Sequence, residues 1–216
     1  MFLINAIYFK SVWKTKFDAA QTHQLPFYTP GNAVVQTDFM NGNINGNFYS
    51  DDKAKVLELP YANVKYSMVI IMPNGGTLPN LVSGLDSATY QNWISKLTPA
   101  TYPVSVPKFK FSYSILLNNA LSDLGMSIAF TKEADFTRIN PAGNLYISKV
   151  QHKAFVAVDE TGTEAAAATS VGVTATSAPL VSYNIDHPFI FIIREMDTGL
   201  ILFAGTVNNP LQTGSM

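Results

Sequence analysis

The sequence predicts an α+β fold dominated by antiparallel sheet, and three observations carry that expectation. Short apolar runs bounded by Gly, Pro and Asn recur along the whole chain, which is the strand signature. Only two stretches repeat apolar residues at helical spacing. No repeat period and no composition shift marks a linker, so the 216 residues have the size of one substantial domain.

The elements follow in order. Residues 4–9 form a short apolar run leading to Trp13. Further runs occupy 34–39, 55–59 and 66–72, and Pro73-Asn74-Gly75-Gly76 supplies turn chemistry after the last of them. Tyr90, Trp93, Ile94 and Leu97 recur at helical spacing behind Asp86 or Ser87 as cap, with Pro99 as the stop. Residues 104–111 alternate through Val104, Val106, Phe109 and Phe111 and read as one strand. Leu117, Ala120, Leu121 and Leu124 predict a second helix, with Gly125 as its C-terminal cap. Residues 146–158 read as extended, and 188–193 with 200–207 form a hairpin around Glu195-Met196-Asp197-Thr198-Gly199.

Composition narrows the function classes. Hydrophobic residues make up 47% and aromatics 12%, ample for a core, while charged residues reach only 13% against roughly 25% in typical soluble domains. The net charge of −1 offers no footprint for nucleic acid or an anionic membrane. No apolar run reaches the ~18 residues of a membrane helix. Cysteine is absent, which excludes a disulfide scaffold and a zinc ribbon. Three histidines at His23, His152 and His187 are not spaced as metal ligands, so neither a metal nor another cofactor is expected. Met1 runs straight into Phe2-Leu3-Ile4 without a basic leader, so the chain reads as starting inside a strand, as a fragment does.

One stretch resists ordinary assignment. From Gly162 through Thr163, Glu164, Ala165, Ala166, Ala167, Ala168 and Thr169 to Pro179 the side chains are small, with Glu164 the single charge. The Glu and four alanines favour helix, whereas the β-branched second half favours extended structure. Read at period two, Thr163, Ala165, Ala167, Thr169, Val171 and Val173 line one face and smaller, more polar residues the other. Such a chain could slide between neighbours in a close-packed sheet where bulky side chains could not. Composition by itself reads as an Ala/Thr/Ser linker.

Sequence context decides between the two. Val158-Asp159-Glu160-Thr161-Gly162-Thr163-Glu164 with its following alanines resembles the proximal hinge of the serpins, the serine protease inhibitor superfamily. Tyr183-Asn184-Ile185-Asp186-His187-Pro188-Phe189-Ile190 resembles the family signature after the reactive-centre loop. Asn5-Ala6-Ile7-Tyr8-Phe9-Lys10-Ser11-Val12-Trp13, Leu124-Gly125-Met126-Ser127, Val150-Gln151-His152-Lys153-Ala154 and Gly205-Thr206-Val207-Asn208-Asn209-Pro210 match in order. The likeness covers about residues 2–210, so 1–210 is expected to be the C-terminal part of a single serpin domain, with the loop at about 161–180 and a tail at 211–216. The helical N-terminal half of the family fold and two strands of its main sheet have no counterpart.

The resemblance implies a suicide-substrate mechanism: a protease serine attacks the loop, forms an acyl-enzyme, and is carried away as the cut loop inserts into the main sheet. The family's usual loop length, counted from Glu160, puts the scissile bond at Thr176-Ser177, with Ala175 or Val173 as alternative registers. No Arg or Lys lies between Thr161 and Tyr183, so elastase-like or subtilisin-like proteases with small primary pockets are the expected partners. Asn5 and His152 match the pair that hydrogen-bonds where the strands part. Lys108 and Glu160 match a charge pair near the top of the insertion site, and Trp13 sits there as well. Extracellular action is usual for the family, and self-association through loop–sheet insertion is a further expectation.

Catalysis is not expected: Gly125-Met126-Ser127-Ile128-Ala129 lacks the last glycine of a nucleophile elbow and follows a helix. The rival reading is a non-inhibitory fragment serving as a binding or chaperone module, or a plain protease substrate.

Overall fold

The computed structural model describes residues 1–163 and 182–212. The hinge residues from Glu164 to Thr169 and the Thr176-Ser177 bond lie outside the described residues. The described strands are β1 (Phe2–Tyr8), β2 (Ser11–Val12), β3 (His23–Tyr28), β4 (Val34–Ser50), β5 (Ala54–Pro60), β6 (Tyr66–Pro73), β7 (Thr98–Pro107), β8 (Phe109–Leu116), β9 (Lys149–Val158), β10 (Gly162–Thr163), β11 (Tyr183–Asn184), β12 (Phe189–Glu195) and β13 (Ile201–Val207). The helices are α1 (Leu78–Ser83), α2 (Ser87–Ser95) and α3 (Asn118–Leu121). The chain is α+β, mostly strand with few helices, as its sequence predicts. It forms two compact units, Met1–Phe9 with Phe111–Val156, and Lys10–Lys110 with Ala157–Gln212.

In the first unit β1 runs parallel to β9 over seven residue pairs, from Phe2 opposite Lys149 to Tyr8 opposite Phe155. All seven β1 residues are exposed. The helix expected around Leu117–Leu124 is cut short. After α3 the backbone widens into a π turn over Ser122–Met126, where Gly125 takes φ 97°, a left-handed conformation that suits glycine and ends helices. Leu124 is 80% exposed, and neither α3 nor the π turn buries a residue.

The second unit is built on an eight-stranded sheet in the order β11-β7-β4-β5-β6-β12-β13, with β3 paired to β4. Strands β5 and β6, and the hairpin of β12 and β13, sit where the sequence expects them. Their runs are apolar on both faces because both faces are covered. On one side Val56, Val69, Ile71, Ile190 and Ile192 pack against Leu78, Leu81 and Trp93 of α1 and α2. On the other, Phe109 meets Phe189 and Phe191 at 5.6 and 5.4 Å between ring centres. Each such fully buried side chain contributes about 1.5–3 kcal/mol. Asp86 caps α2 as expected, its Oδ1 accepting from the Thr89 N–H at 2.7 Å.

Three departures have physical reasons. The stretch 104–111 is two strands, because β7 pairs with β4 from Thr98 to Pro107 whereas β8 pairs with β9. Strand β4 runs on past Phe39 through Asn41-Gly42-Asn43-Ile44-Asn45-Gly46-Asn47, which reads as loop by composition. Ladder bonds to β7 and β5 hold it extended. Strand β3 carries Pro26 in its middle and pairs, among the described residues, with β4 alone, the edge position that a residue without an N–H requires.

A charged cluster lies inside this sheet, unforeseen from the sequence. Glu58, 2% exposed, takes Arg194 Nε and Nη2 on Oε1 at 3.0 and 2.7 Å, Ser67 Oγ on the same oxygen at 2.8 Å, and Asn47 Nδ2 on Oε2 at 2.6 Å. The residues come from β4, β5, β6 and β12, so no local spacing joins them.

Candidate functional site at the hinge

Five of the sequence-selected residues meet in the second unit, around the turn that leaves β9. Asp159 and Gly162 close that turn by reciprocal backbone hydrogen bonds, Asp159 N–H to Gly162 O at 3.0 Å and Gly162 N–H to Asp159 O at 3.2 Å. The Asp159 carboxylate steadies it, accepting from the N–H groups of Thr161 at 2.8 Å and Gly162 at 3.1 Å, the Asx role that favours aspartate at turn starts. The chain then reverses, and Gly162 and Thr163 pair antiparallel with Val12 and Ser11, while Thr163 also faces Val158. Gly162 and Thr163, the first two residues of the expected hinge, are therefore a strand between two others.

The fit at this point is close. A Cβ on Gly162 would stand 2.1 Å from Ser11 O and 2.6 Å from Val12 Cα, so only glycine lets these backbones approach. Thr163 is fully buried, and its hydroxyl lies 2.6 Å from the Tyr61 hydroxyl. Burial pushes the Tyr61 phenol well above its ordinary pKa, against the smaller opposing effect of the Thr163 hydrogen bond, so it stays neutral and can donate or accept. Tyr61 stacks face to face on Trp13, 4.7 Å between ring centres and 8° between planes. The Trp13 indole N–H donates to Asp159 O at 2.9 Å, and its backbone N–H to Thr161 O at 2.9 Å. Trp13 is thus both a core aromatic and a clamp on the turn.

The charge pair stands beside it. Lys108 Nζ lies 3.1 Å from both Glu160 oxygens, and Thr22 Oγ1 donates to Oε1 at 2.7 Å. Partial burial by itself raises the Glu160 carboxyl, but hydrogen bonds from Thr22, its own backbone N–H and Lys108 outweigh it and hold the group below the usual range. The Glu160 carbonyl also accepts from Phe17 N–H at 3.0 Å.

Asn5 and His152 lie in the first unit, opposite one another in the β1–β9 register. Among the described residues no hydrogen bond joins their side chains; Asn5 is exposed and His152 half-buried. Tyr61, Thr22 and Asp159 escaped sequence reasoning as site residues. Asp159 carried a signal, an aspartate three residues before a glycine at a strand end, whereas Tyr61 and Thr22 reach the hinge only by folding. Among the described residues no cluster of His, Asp or Glu could hold a metal, and no helix is long and apolar enough to cross a membrane.

Comparison with known proteins fits this geometry. The family model for serpin, serine protease inhibitor, matches residues 1–210. Serpin B11 of Homo sapiens is 37% identical over 217 residues, covering 97% of this chain and 55% of that protein. Serpin-ZXA of Oryza sativa subsp. japonica is 41% identical over 221 residues, covering 96% and 55%. Among solved structures, the thermophilic serpin tengpin in its native state superposes with a TM-score of 0.79 at 36% identity, covering 96% of this chain and 55% of that one. The chain spans about half the length of the curated relatives it matches. The chain belongs to the serpin family of serine protease inhibitors.

Proposed function

We propose that this chain carries the bait loop and the loop-receiving strands of a suicide-substrate inhibitor of serine proteases, acting as a substrate that traps rather than as a catalyst. One observation supports the reading above others: Gly162 and Thr163 are paired with Ser11, Val12 and Val158 before any cleavage. An inserting strand needs such a nucleus, because later residues then add to a formed ladder instead of starting one. After Glu164 come four alanines and Thr169, small side chains as insertion requires. The seven β1–β9 pairs are the seam that parts to receive them. Cleavage falls near Thr176-Ser177, and a small residue there suits elastase-like or subtilisin-like enzymes.

Incubation with proteases of both classes, read by denaturing gel and intact mass, tests this. The expected product is a peptide beginning at Ser177. An adduct of chain-plus-protease mass shows that these residues suffice for trapping, and clean cleavage without adduct shows that this chain serves as a substrate only. Resistance of residues 161–183 to every such protease overturns the reading. A second reading, a strand-pairing or self-associating module, is favoured by β1, where Phe2 and Ile4 are 71% and 72% exposed on an all-exposed strand. Exposed apolar strands invite added partners, and sedimentation velocity across a concentration series separates that reading from the first.

A further inference from the structure

We propose that a cavity of about 640 Å³ between the turn after β3, the segment linking β6 to α1 and the approach to β12 binds a small planar aromatic carboxylate. It lies wholly in the second unit, uses none of the hinge residues, and has a volume usual for small-molecule sites.

Its lining is chemically specific. Met72 and Leu78, each 5% exposed, offer apolar surface. The Tyr28 ring stacks on the His187 imidazole, 4.9 Å between centres and 21° between planes, and Asp186 Oδ1 holds His187 Nδ1 at 2.7 Å, so the aromatic platform is oriented in advance. Pro30, Pro73, Pro79 and Pro188 lie around the cavity and restrict the backbone that shapes it. The remaining charge is Lys55, half-buried and without a carboxylate partner among the described residues. Among the described residues the one lining carboxylate, Asp186, is engaged by His187. Stacking selects a flat apolar body, and a lone ammonium selects an anionic end; an aryl or indolyl acid supplies both.

The test is titration of 1-naphthoate into the 216-residue chain, followed by calorimetry, beside the neutral analogue 1-naphthalenemethanol. Saturable one-to-one binding of naphthoate is expected. Lys55→Met is expected to weaken it by roughly ten- to hundredfold, the range for a hydrogen bond to a charged group. Lys55→Arg keeps the charge and retains most of the affinity. The neutral analogue binds more weakly and does not distinguish wild type from Lys55→Met. Absence of saturable naphthoate binding, equal affinity of Lys55→Met and wild type, or equal losses in Lys55→Met and Lys55→Arg with unchanged far-ultraviolet circular dichroism overturns the proposal.

Discussion

Two carboxylate–cation pairs in the same unit show how burial decides what one chemistry does. Glu58 and Arg194 lie inside the sheet, with side chains 2% and 10% exposed, and Glu58 has four hydrogen bonds on its two oxygens. Glu160 and Lys108 flank the expected hinge, 15% and 36% exposed, with Thr22 as the one further side-chain partner among the described residues. The first pair has no water to fall back on, so removing either member strands a buried charge. The second can exchange its partner for solvent. The first arrangement suits a fixed scaffold, and the second suits the hinge movement that the proposed function requires.

The largest expected effect breaks the buried pair. Arg194→Met leaves Glu58 uncompensated and should lower unfolding stability by about 3–5 kcal/mol, read as a shifted midpoint in urea denaturation. Adding Glu58→Leu should recover part of that loss, since a paired apolar replacement leaves no orphan charge. A single variant as stable as wild type would show that water reaches Glu58.

Next comes the hinge itself. Gly162→Ala places a Cβ against Ser11 O and Val12 Cα, and overpacking of this kind costs about 1–3 kcal/mol. Here the cost falls on hinge seating rather than on the sheet. Hydrogen exchange of the Trp13 and Phe17 amides, which donate to Thr161 O and Glu160 O, should accelerate by roughly ten- to hundredfold, while amides of β5 and β6 stay unchanged. Uniform acceleration would make the hinge part of the global fold.

The smallest effect concerns the exposed pair and pH. The Glu160 carboxyl is depressed in the folded chain, partial burial being outweighed by hydrogen bonds from Thr22, its backbone and Lys108. Its contribution is therefore complete above the unfolded carboxyl pKa of about 4.3 and fades as pH falls through the lower folded value. Exchange of the Phe17 amide should rise across that acid window beyond its intrinsic pH dependence. Lys108→Met should shift the window upward and weaken anchoring by at most about 1 kcal/mol, reduced further by salt. No change in the window would leave Thr22 as the partner that matters.

These contrasts map onto what residue spacing discloses. Strands β5, β6, β12 and β13 and helix α2 with its Asp86 cap were legible because period, turn residues and caps are local properties. The hinge motif, the Lys108–Glu160 pairing and the place of Trp13 came from likeness to a family, which carries tertiary information that composition does not. Gly46 and its asparagine neighbours carry no strand signal of their own, and ladders to β7 and β5 hold them extended. Leu124 reads as part of an apolar helical stripe but is exposed, because spacing shows that a stripe exists and not whether anything covers it. Tyr61 over Thr163, Thr22 on Glu160, and Arg194 on Glu58 join residues 102, 138 and 136 positions apart. Short-range pattern therefore settles which segments are strand or helix and where they stop. Which strand borders which, which carboxylate is dry and which side chain holds the hinge are decided by packing, because those contacts exist only once distant segments have been brought together.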